Sequence, residues 1–248
     1  RKSNSFLVQL NAASGAAGKP ARVTPRFEGR NGYPAWSPDG RKLAWFGLKQ
    51  SDTYGGALLH IRDLGSNRER TLAFADSANG SVTPQWLADN RTILYGRGTG
   101  EPALRSLFRF DTETGETSPL AENVRSFHTV TSDGGVVYHV RGDYDKIVAL
   151  DTRTKAEREV FSVDGKIFHL AVSPDGRSLV CMIIPKTQSR PRRLVVIDTQ
   201  TGRSRDLVEQ LAGGFTFFRR SLGWTPDGSS VVVRANDGVW AYPVAGGE

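Results

Sequence analysis

One short turn motif recurs along this chain, and its recurrence restricts the fold more than any other feature. The five copies lie within residues 33–47, 83–97, 127–141, 169–183 and 221–235. The aspartates at their centres, Asp39, Asp89, Asp133, Asp175 and Asp227, are spaced by 50, 44, 42 and 52 residues. A repeat period of this size is typical of solenoids, propellers and arrays.

Each copy has the composition of a tight turn between two strands. In the first copy Pro38 sets φ for the first central position of a type I turn, Asp39 suits the second, and Gly40 can take a positive φ. An alternating apolar run follows the turn, as in residues 42–46. We therefore predict a β-hairpin in every copy. The predicted turn residues are Asp39, Gly40, Asp89, Asn90, Asp133, Gly134, Asp175, Gly176, Asp227 and Gly228.

Two further strands follow the motif in most repeats. Residues 57–73, 106–120, 146–160 and 193–208 each contain an alternating strand that ends in Asp, a polar turn and another strand. Four strands per repeat are typical of a β-propeller blade, so we predict an all-β propeller of four-stranded antiparallel blades. The only predicted helix is a short turn around 207–212. The large residue before each turn is predicted to lie on the innermost strand and to pack against the next blade; these residues are Trp36, Trp86, Val130, Val172 and Trp224.

With these motifs the chain resembles the TolB-type, WD-repeat-like propellers, whose blades carry Trp-Ser-Pro-Asp-Gly. Similar blades occur in tricorn-type proteases and in the propeller domains of prolyl oligopeptidases and dipeptidyl peptidases. The resemblance implies five to six blades, a bacterial protein, and a periplasmic or otherwise extracytoplasmic location. Because a fold hosts many activities, the repeats predict the fold much better than the function.

Residues 1–248 are expected to form a single propeller domain. The predicted blades cover 33–73, 83–120, 127–160 and 168–208, with partial blades at 5–28 and 221–244. Because a closed ring leaves no strand edge exposed, two partial blades suggest part of a larger propeller that flanking sequence completes. The first residue is Arg1 and not Met, from which we expect a piece of a longer protein.

Composition limits the classes of partner. The net charge of +7 favours anionic partners, although the positive charges are spread along the chain. No apolar run approaches the roughly 18 residues that a membrane span needs. Basic residues without interleaved aromatics or a binding motif argue against nucleic acid. A single cysteine, Cys181, excludes an intrachain disulfide, and its apolar surroundings predict a buried thiol.

One set of residues is a candidate binding site. Basic residues lie just before the turn motif in four of the five repeats, and His128 and His169 lie near them. If the blades superpose, these side chains form a positive ring at the channel mouth that attracts an acidic peptide, a carboxylate or a uronate-like sugar. Scattered surface charge is the alternative, since Lys and Arg make up 33 of 248 residues. The candidates are Arg30, Arg125, His128, Lys166, His169, Arg219 and Arg220.

The sequence contains no recognisable catalytic constellation. The nucleophile elbow G-x-S-x-G is absent, and no histidine pair has a metal-binding spacing, so no metal or cofactor is predicted. His60 and His139 are predicted to pack within strands, and Asp143 and Asp145 to form a solvated turn. The leading hypothesis is a non-catalytic propeller that binds a protein, a peptide or an anionic ligand. The alternatives are the gating propeller of a prolyl-oligopeptidase-like peptidase and a propeller that acts on acidic sugars.

Overall fold

A computed structural model describes residues 6–7, 18–19, 21–22, 29–49, 57–73, 84–98, 104–125, 128–187, 191–211, 222–235 and 238–245. Within these residues every regular element is a β-strand, so the predicted all-β class is confirmed. The helical turn predicted around 207–212 is wrong over its described part, because the first two of these residues end a strand, Ser204–Val208.

The strands form one short pair and five larger sheets. The pair joins β1 (Phe6–Leu7) to β2 (Ala21–Arg22). Blade 1 contains β3 (Gly29–Trp36), β4 (Lys42–Lys49), β5 (Ala57–Asp63) and β6 (Glu69–Ala73). Blade 2 contains β7 (Gln85–Trp86), β8 (Thr92–Gly98), β9 (Leu104–Asp111) and β10 (Thr117–Arg125).

The remaining strands continue the same pattern. Blade 3 contains β11 (His128–Val130), β12 (Val136–Arg141), β13 (Lys146–Asp151) and β14 (Glu157–Ser162). Blade 4 contains β15 (Gly165–Val172), β16 (Ser178–Pro185), β17 (Arg193–Asp198) and β18 (Ser204–Val208). Blade 5 contains β19 (Leu222–Trp224), β20 (Ser230–Ala235) and β21 (Gly238–Pro243). Neighbours in each sheet are consecutive in the chain.

The chain divides into two compact units. Unit 1 comprises residues 1–102 and 107–119, and unit 2 comprises residues 103–106 and 120–248. The expectation that 1–248 forms a single domain stays a prediction.

In unit 2, strands in the middle of a blade bury both faces because the blades stack on each other. Successive side chains of a strand point to opposite faces. Leu179, Cys181 and Ile183 of β16 therefore pack with Val140 and Ile147 of blade 3. The alternate residues of β16 pack with blade 5; this second cluster includes Val180, Met182, Leu194, Val196, Val231 and Val233. Burial raises the pKa of the Cys181 thiol to about 12, so the predicted buried cysteine is an unreactive core residue.

Unit 1 has the same construction. Blade 1 contributes Phe46 and Ile61 to a core that it shares with Trp86, Ile93 and Tyr95 of blade 2. The indole Nε1 of Trp86 also donates a hydrogen bond to the backbone oxygen of Ala35, over 3.1 Å. An indole N–H usually has a partner when it is buried, and this bond supplies one.

The Asp-containing turns lie at one end of each blade, which we call the turn end. Gly40, Gly134, Gly176 and Gly228 have φ between 69° and 74°, and Asn90 has φ of 53°. The aspartate of the motif stabilises the turn: Asp175 Oδ1 accepts bonds from Ser173 Oγ (2.6 Å) and from the backbone N–H of Arg177 (3.1 Å).

The turn between the third and fourth strands lies at the same end and bonds to the motif. In blade 4 the backbone N–H of Thr199 donates to Arg177 O (2.9 Å), and its hydroxyl donates to Gly176 O (3.0 Å). In blade 3 the N–H of Thr152 donates to Gly135 O (2.9 Å), and its hydroxyl donates to Gly134 O (2.8 Å). The turn end is therefore a repeated hydrogen-bonded structure.

An arginine in the second position of the fourth strand joins consecutive blades. In unit 1, Arg70 donates to Thr112 O over 2.6 Å. In unit 2, Arg158 donates to Thr199 O over 2.8 Å, and Arg205 donates to Val244 O. These arginines of β6, β14 and β18 were not singled out from the sequence.

The large residues before the motif turns were predicted to be packed, and their burial differs between repeats. Trp86 and Val130 are buried, and Val172 and Trp224 are half-buried. The prediction is wrong for Trp36, whose side chain is 49% exposed. Trp86 and Trp224 each donate to a backbone oxygen of the preceding blade, at Ala35 and Ala171, and not to the next blade as predicted. Trp36 belongs to the first complete blade of the described chain.

Candidate functional site at the loop ends of the blades

The end of each blade opposite the turn end is called the loop end. In unit 2 the first strands of three blades lie side by side, with β15 between β11 and β19. The backbone N–H of Val172 donates to Thr129 Oγ1 (3.3 Å), and Trp224 Nε1 donates to Ala171 O (3.1 Å). These bonds fix the first strands of neighbouring blades relative to one another.

Lys166 is the predicted basic residue that the structure describes in full. It is the second residue of β15 and is exposed. Its Nζ lies 3.6 Å from Asp143 Oδ1, in the turn between β12 and β13. A second pair, Lys186 Nζ with Asp164 Oδ1 at 2.6 Å, lies near it in sequence at the ends of the blade 4 hairpin. This part of the loop end therefore presents cations together with carboxylates.

The turn that carries Asp143 is held against blade 4. The backbone N–H of Ile167 donates to Tyr144 O (2.6 Å), and that of Val163 donates to Asp145 O (3.0 Å). The ring of Tyr144 stacks on Phe168, with centroids 5.8 Å apart. Tyr144 also has a positive φ of 65°, which is uncommon for a bulky residue. These contacts hold the loop end in a defined conformation at this point, and the turn sequence Gly-Asp-Tyr-Asp of residues 142–145 occurs once in the chain.

The two candidate histidines differ in burial. His128 is half-buried and lies opposite His139 in the β11–β12 pair. His169 is 4% exposed, has φ of 51°, and lies where the β15–β16 register shifts. Burial lowers the pKa of His169 to about 4, so its imidazole is neutral at pH 7.

His139 and His60 pack within their blades, as predicted. His139 is fully buried, and burial followed by the charge of Arg141 lowers its pKa to about 4. His60 stacks on Trp45 with ring centroids 5.2 Å apart, and its Nδ1 lies 3.1 Å from Glu69 Oε1. Burial lowers the pKa of His60, and the bond to Glu69 opposes that shift.

The other predicted basic residues are described only partly or not at all. Arg30 is the second residue of β3, opposite Leu48, and Arg125 ends β10. Their side chains, and the whole of Arg219 and Arg220, lie outside the described residues. A positive ring of these residues stays a prediction.

Sequence analysis missed the compensating charges. It treated Asp143 only as part of a solvated turn, and it did not single out Asp164 or Lys186. Proximity in sequence gives no signal for these pairs, because Asp164 comes two residues before Lys166 but pairs with Lys186. Over the ranges that the structure describes, no group of three or more His, Cys, Asp or Glu residues is placed to hold a metal ion.

Comparison with known proteins identifies the fold. No family model matches the chain. Over 153 residues it is 30% identical to the "Uncharacterized peptidase YuxL" of Bacillus subtilis (strain 168), a match that covers 62% of this chain and 22% of that protein. TolB from Acinetobacter baumannii superposes with a TM-score of 0.70 at 16% identity, over 98% of this chain and 64% of that one. An oligogalacturonate lyase in complex with manganese superposes with a TM-score of 0.69 at 15% identity, over 97% and 72% of the two chains.

The chain has a β-propeller fold. The resemblance to TolB-type propellers inferred from the motif is confirmed at the level of the fold. The chain spans less than two thirds of the length of the TolB structure and about a fifth of the curated relative. No described segment forms a helix with the length and apolar character of a membrane span.

Proposed function

We propose that this chain is a non-catalytic propeller that binds a protein or peptide at the loop ends of its blades, as part of a longer bacterial protein outside the cytoplasm. The observation that carries the proposal is the ordered loop end of blades 3 and 4. There the turn of residues 142–145, whose sequence Gly-Asp-Tyr-Asp occurs once in the chain, is held by backbone hydrogen bonds and ring stacking, and it presents Asp143 and Lys166 to solvent.

The charges favour a partner with several polar groups over a simple anion. Lys166 and Lys186 each have a carboxylate within 4 Å, and both of these aspartate side chains are 82% exposed. An isolated anion would compete with those carboxylates for the same ammonium groups. A peptide can exchange ion pairs with both signs of charge at once, and such pairs contribute to specificity and association rate.

The proposal is tested by measuring peptide binding at low and moderate salt. Three peptides of the same length are used: one acidic, one neutral and one of alternating charge. Binding of an acidic oligogalacturonate is measured in parallel, to test the alternative of an acidic sugar as ligand. The test variant is Arg125→Ala/Lys166→Ala/Arg219→Ala. The matched control is Arg41→Ala/Arg153→Ala/Arg203→Ala, which removes the same charge from exposed turn-end residues. We expect salt-sensitive peptide binding that the test variant loses and the control keeps. Equal binding by all three proteins would contradict a loop-end site.

A second candidate function rests on the sequence match to an uncharacterised peptidase. In that case the propeller gates access to a hydrolase domain encoded in the same gene. The discriminating observation is a G-x-S-x-G elbow downstream in the parent gene, because that motif places a nucleophilic serine in α/β-hydrolases. Its presence would favour the gating role, and its absence would favour the binding role.

A further inference from the structure

A pocket of about 480 Å³ lies on blade 2, at its turn end. Its lining comes from β8, β9, β10 and the turn between the last two strands, and all of these lining residues belong to unit 1. None of the loop-end candidates is among them. The lining residues are Thr92, Arg109, Asp111, Glu116, Thr117 and Ser118.

Ser118 sets blade 2 apart from three other blades. The backbone N–H of Asp111 donates to Glu116 O, as that of Asp151 donates to Ala156 O in blade 3. Aligned by this turn, Ser118 is the second residue of the fourth strand and takes the place of the arginine that blades 1, 3 and 4 carry there. Those arginines are Arg70, Arg158 and Arg205.

A guanidinium group crosses to the next blade from this place in the other repeats. Arg70 donates to Thr112 O over 2.6 Å, and Arg158 donates to Thr199 O over 2.8 Å. Serine lacks the long stem and the guanidinium of arginine. The face of blade 2 around Ser118 is therefore open where the other blades have an arginine side chain, and Ser118 lines the pocket.

The turn beside the pocket is also more acidic than its counterparts. Glu116 lies where blades 1 and 4 have Arg68 and Arg203, as the hydrogen bonds that close the turns show. Over the described residues, Glu116 uses its backbone in the turn, and its carboxylate has no hydrogen bond or ion pair. The pocket therefore contains a carboxylate that is available to a ligand.

The charges around the pocket favour a cation. Hydrogen bonds from Arg91 and from backbone N–H groups hold the pKa of Asp111 well below its usual range, so Asp111 is ionised at pH 7. Arg91 also pairs with Glu113 at 3.4 Å. Three carboxylates thus lie in and beside the pocket against two guanidinium groups, those of Arg91 and Arg109. This local excess of negative charge attracts cations, although the chain carries a net charge of +7.

We propose that this pocket accepts the arginine side chain of a partner polypeptide, in the place that an arginine of the chain itself occupies in blades 1, 3 and 4. The guanidinium would pair with Glu116 and donate to the hydroxyl oxygens of Thr117 and Ser118. Arginine fits better than lysine because its planar fork donates to several acceptors at once. This surface differs from the loop end, and the inference does not depend on the proposed function.

The test uses the full chain and the probe acetyl-Gly-Arg-Gly-amide. Two further peptides replace the arginine by citrulline, which removes the charge, or by glutamate, which reverses it. Free L-arginine is measured in parallel, to separate the amino acid from the peptide as ligand. Titration measures affinity, and amide chemical shifts locate the bound peptide on the chain.

Two variants change the pocket, and each has a control with the same change of charge. Glu116→Gln removes the unpaired carboxylate, and Glu113→Gln removes a carboxylate of the same turn that is outside the lining. Ser118→Arg supplies the side chain that the other fourth strands carry, and Gln200→Arg adds the same charge at an exposed turn of blade 4. Thermal unfolding verifies that the variants are folded. Should Ser118→Arg fail to fold, Glu116→Gln and its control decide the outcome.

We expect the arginine peptide to shift the amides of 116–118. It should bind at least about threefold more tightly than the citrulline and glutamate peptides, because a charged donor strengthens hydrogen bonds to a carboxylate. Glu116→Gln should weaken binding by at least about threefold, for the same reason. Ser118→Arg should abolish binding, and Glu113→Gln and Gln200→Arg should leave it nearly unchanged.

Several results would overturn the proposal. These are unshifted 116–118 amides, equal binding of the arginine and citrulline peptides, or full binding by folded Ser118→Arg. Tighter binding of the glutamate peptide would overturn it by showing an anion site that includes Arg109. Tighter binding of free L-arginine than of the arginine peptide would assign the pocket to the amino acid and would overturn a polypeptide partner.

Discussion

The two ends of the blades are built differently. At the turn end the same hydrogen bonds recur, as in Asp175 with Ser173 and Asp227 with Thr225, each at 2.6 Å. At the loop end of blades 3 and 4 the described contacts come from a turn whose sequence does not recur in the chain, as in the stacking of Tyr144 on Phe168. Contacts that recur in every blade serve the fold they share. Residues whose sequence does not recur are free to serve a particular ligand, and the predictions below follow from this difference.

The largest expected difference between the ends is at two glycines with positive φ. Gly202, with φ of 70°, lies at the turn end, where an added Cβ would meet the backbone oxygen of Val160. Gly142, with φ of 62°, lies at the loop end, where the added Cβ would meet the carboxylate of Asp145. A carboxylate can rotate away and a backbone oxygen in a sheet cannot.

Gly202→Ala should therefore lower the free energy of unfolding by about 3 kcal/mol, because the alanine must adopt a left-handed backbone conformation and its Cβ must displace a neighbouring backbone oxygen. Gly142→Ala should cost about 1 kcal/mol, from the backbone conformation alone. Urea denaturation of both variants at pH 7 provides the measurement. Equal losses would show that the turn end is no more rigid than the loop end.

The next comparison is between tryptophans at one position of the motif. Trp86→Phe removes the donor to Ala35 O from a buried site and should cost about 1–2 kcal/mol. Trp36→Phe should change the free energy of unfolding by less than about 0.5 kcal/mol, because its side chain is half exposed. Thermal unfolding of the two variants measures this, and a large loss for Trp36→Phe would mean that its indole has a partner in solution.

A smaller effect is expected from acid at the turn end. Hydrogen bonds from the Ser173 hydroxyl and the backbone of Arg177 lower the pKa of Asp175. Because this pKa is lower in the folded state than in the unfolded state, the ionised carboxylate stabilises the fold at pH values above the unfolded-state pKa of about 4. That stabilisation is lost as the pH falls through the folded-state pKa. Asp175→Asn should therefore have a lower free energy of unfolding than the parent at pH 7, and the difference between the two proteins should become smaller towards pH 2. A difference in the free energy of unfolding that does not change with pH would show that the charge of Asp175 does not stabilise the turn.

The smallest effect belongs to the loop end. Lys166→Ala removes a solvent-exposed ion pair and should change stability by at most about 0.5 kcal/mol, since such pairs contribute little. Chemical denaturation in low and high salt checks this. A clear loss of stability would assign Lys166 to the fold and not to a surface that is free to bind ligand.

Sequence reasoning predicts the turn end well, because the period, the turn residues and the strand alternation all repeat. It predicts the burial of Trp36 wrongly, because the motif around Trp36 is the same as the motif around the buried Trp86. It could have found the arginine of the fourth strand, since Arg70, Arg158 and Arg205 hold the same position in their repeats.

The loop end is harder to predict. The pairing of Lys166 with Asp143 joins residues of two blades through a turn whose sequence does not recur, so the repeats give no signal for this pair. The burial of His169 depends on a register shift in β15, which composition does not reveal.

The most direct test measures stability and peptide binding on the same samples of the two triple-alanine proteins. The account predicts that Arg125→Ala/Lys166→Ala/Arg219→Ala unfolds at the parent temperature but loses binding of the peptide that the parent binds, and that Arg41→Ala/Arg153→Ala/Arg203→Ala retains binding. A loop-end protein that binds normally, or a turn-end protein that loses binding while still folded, would contradict the assignment of ligand recognition to the loop end.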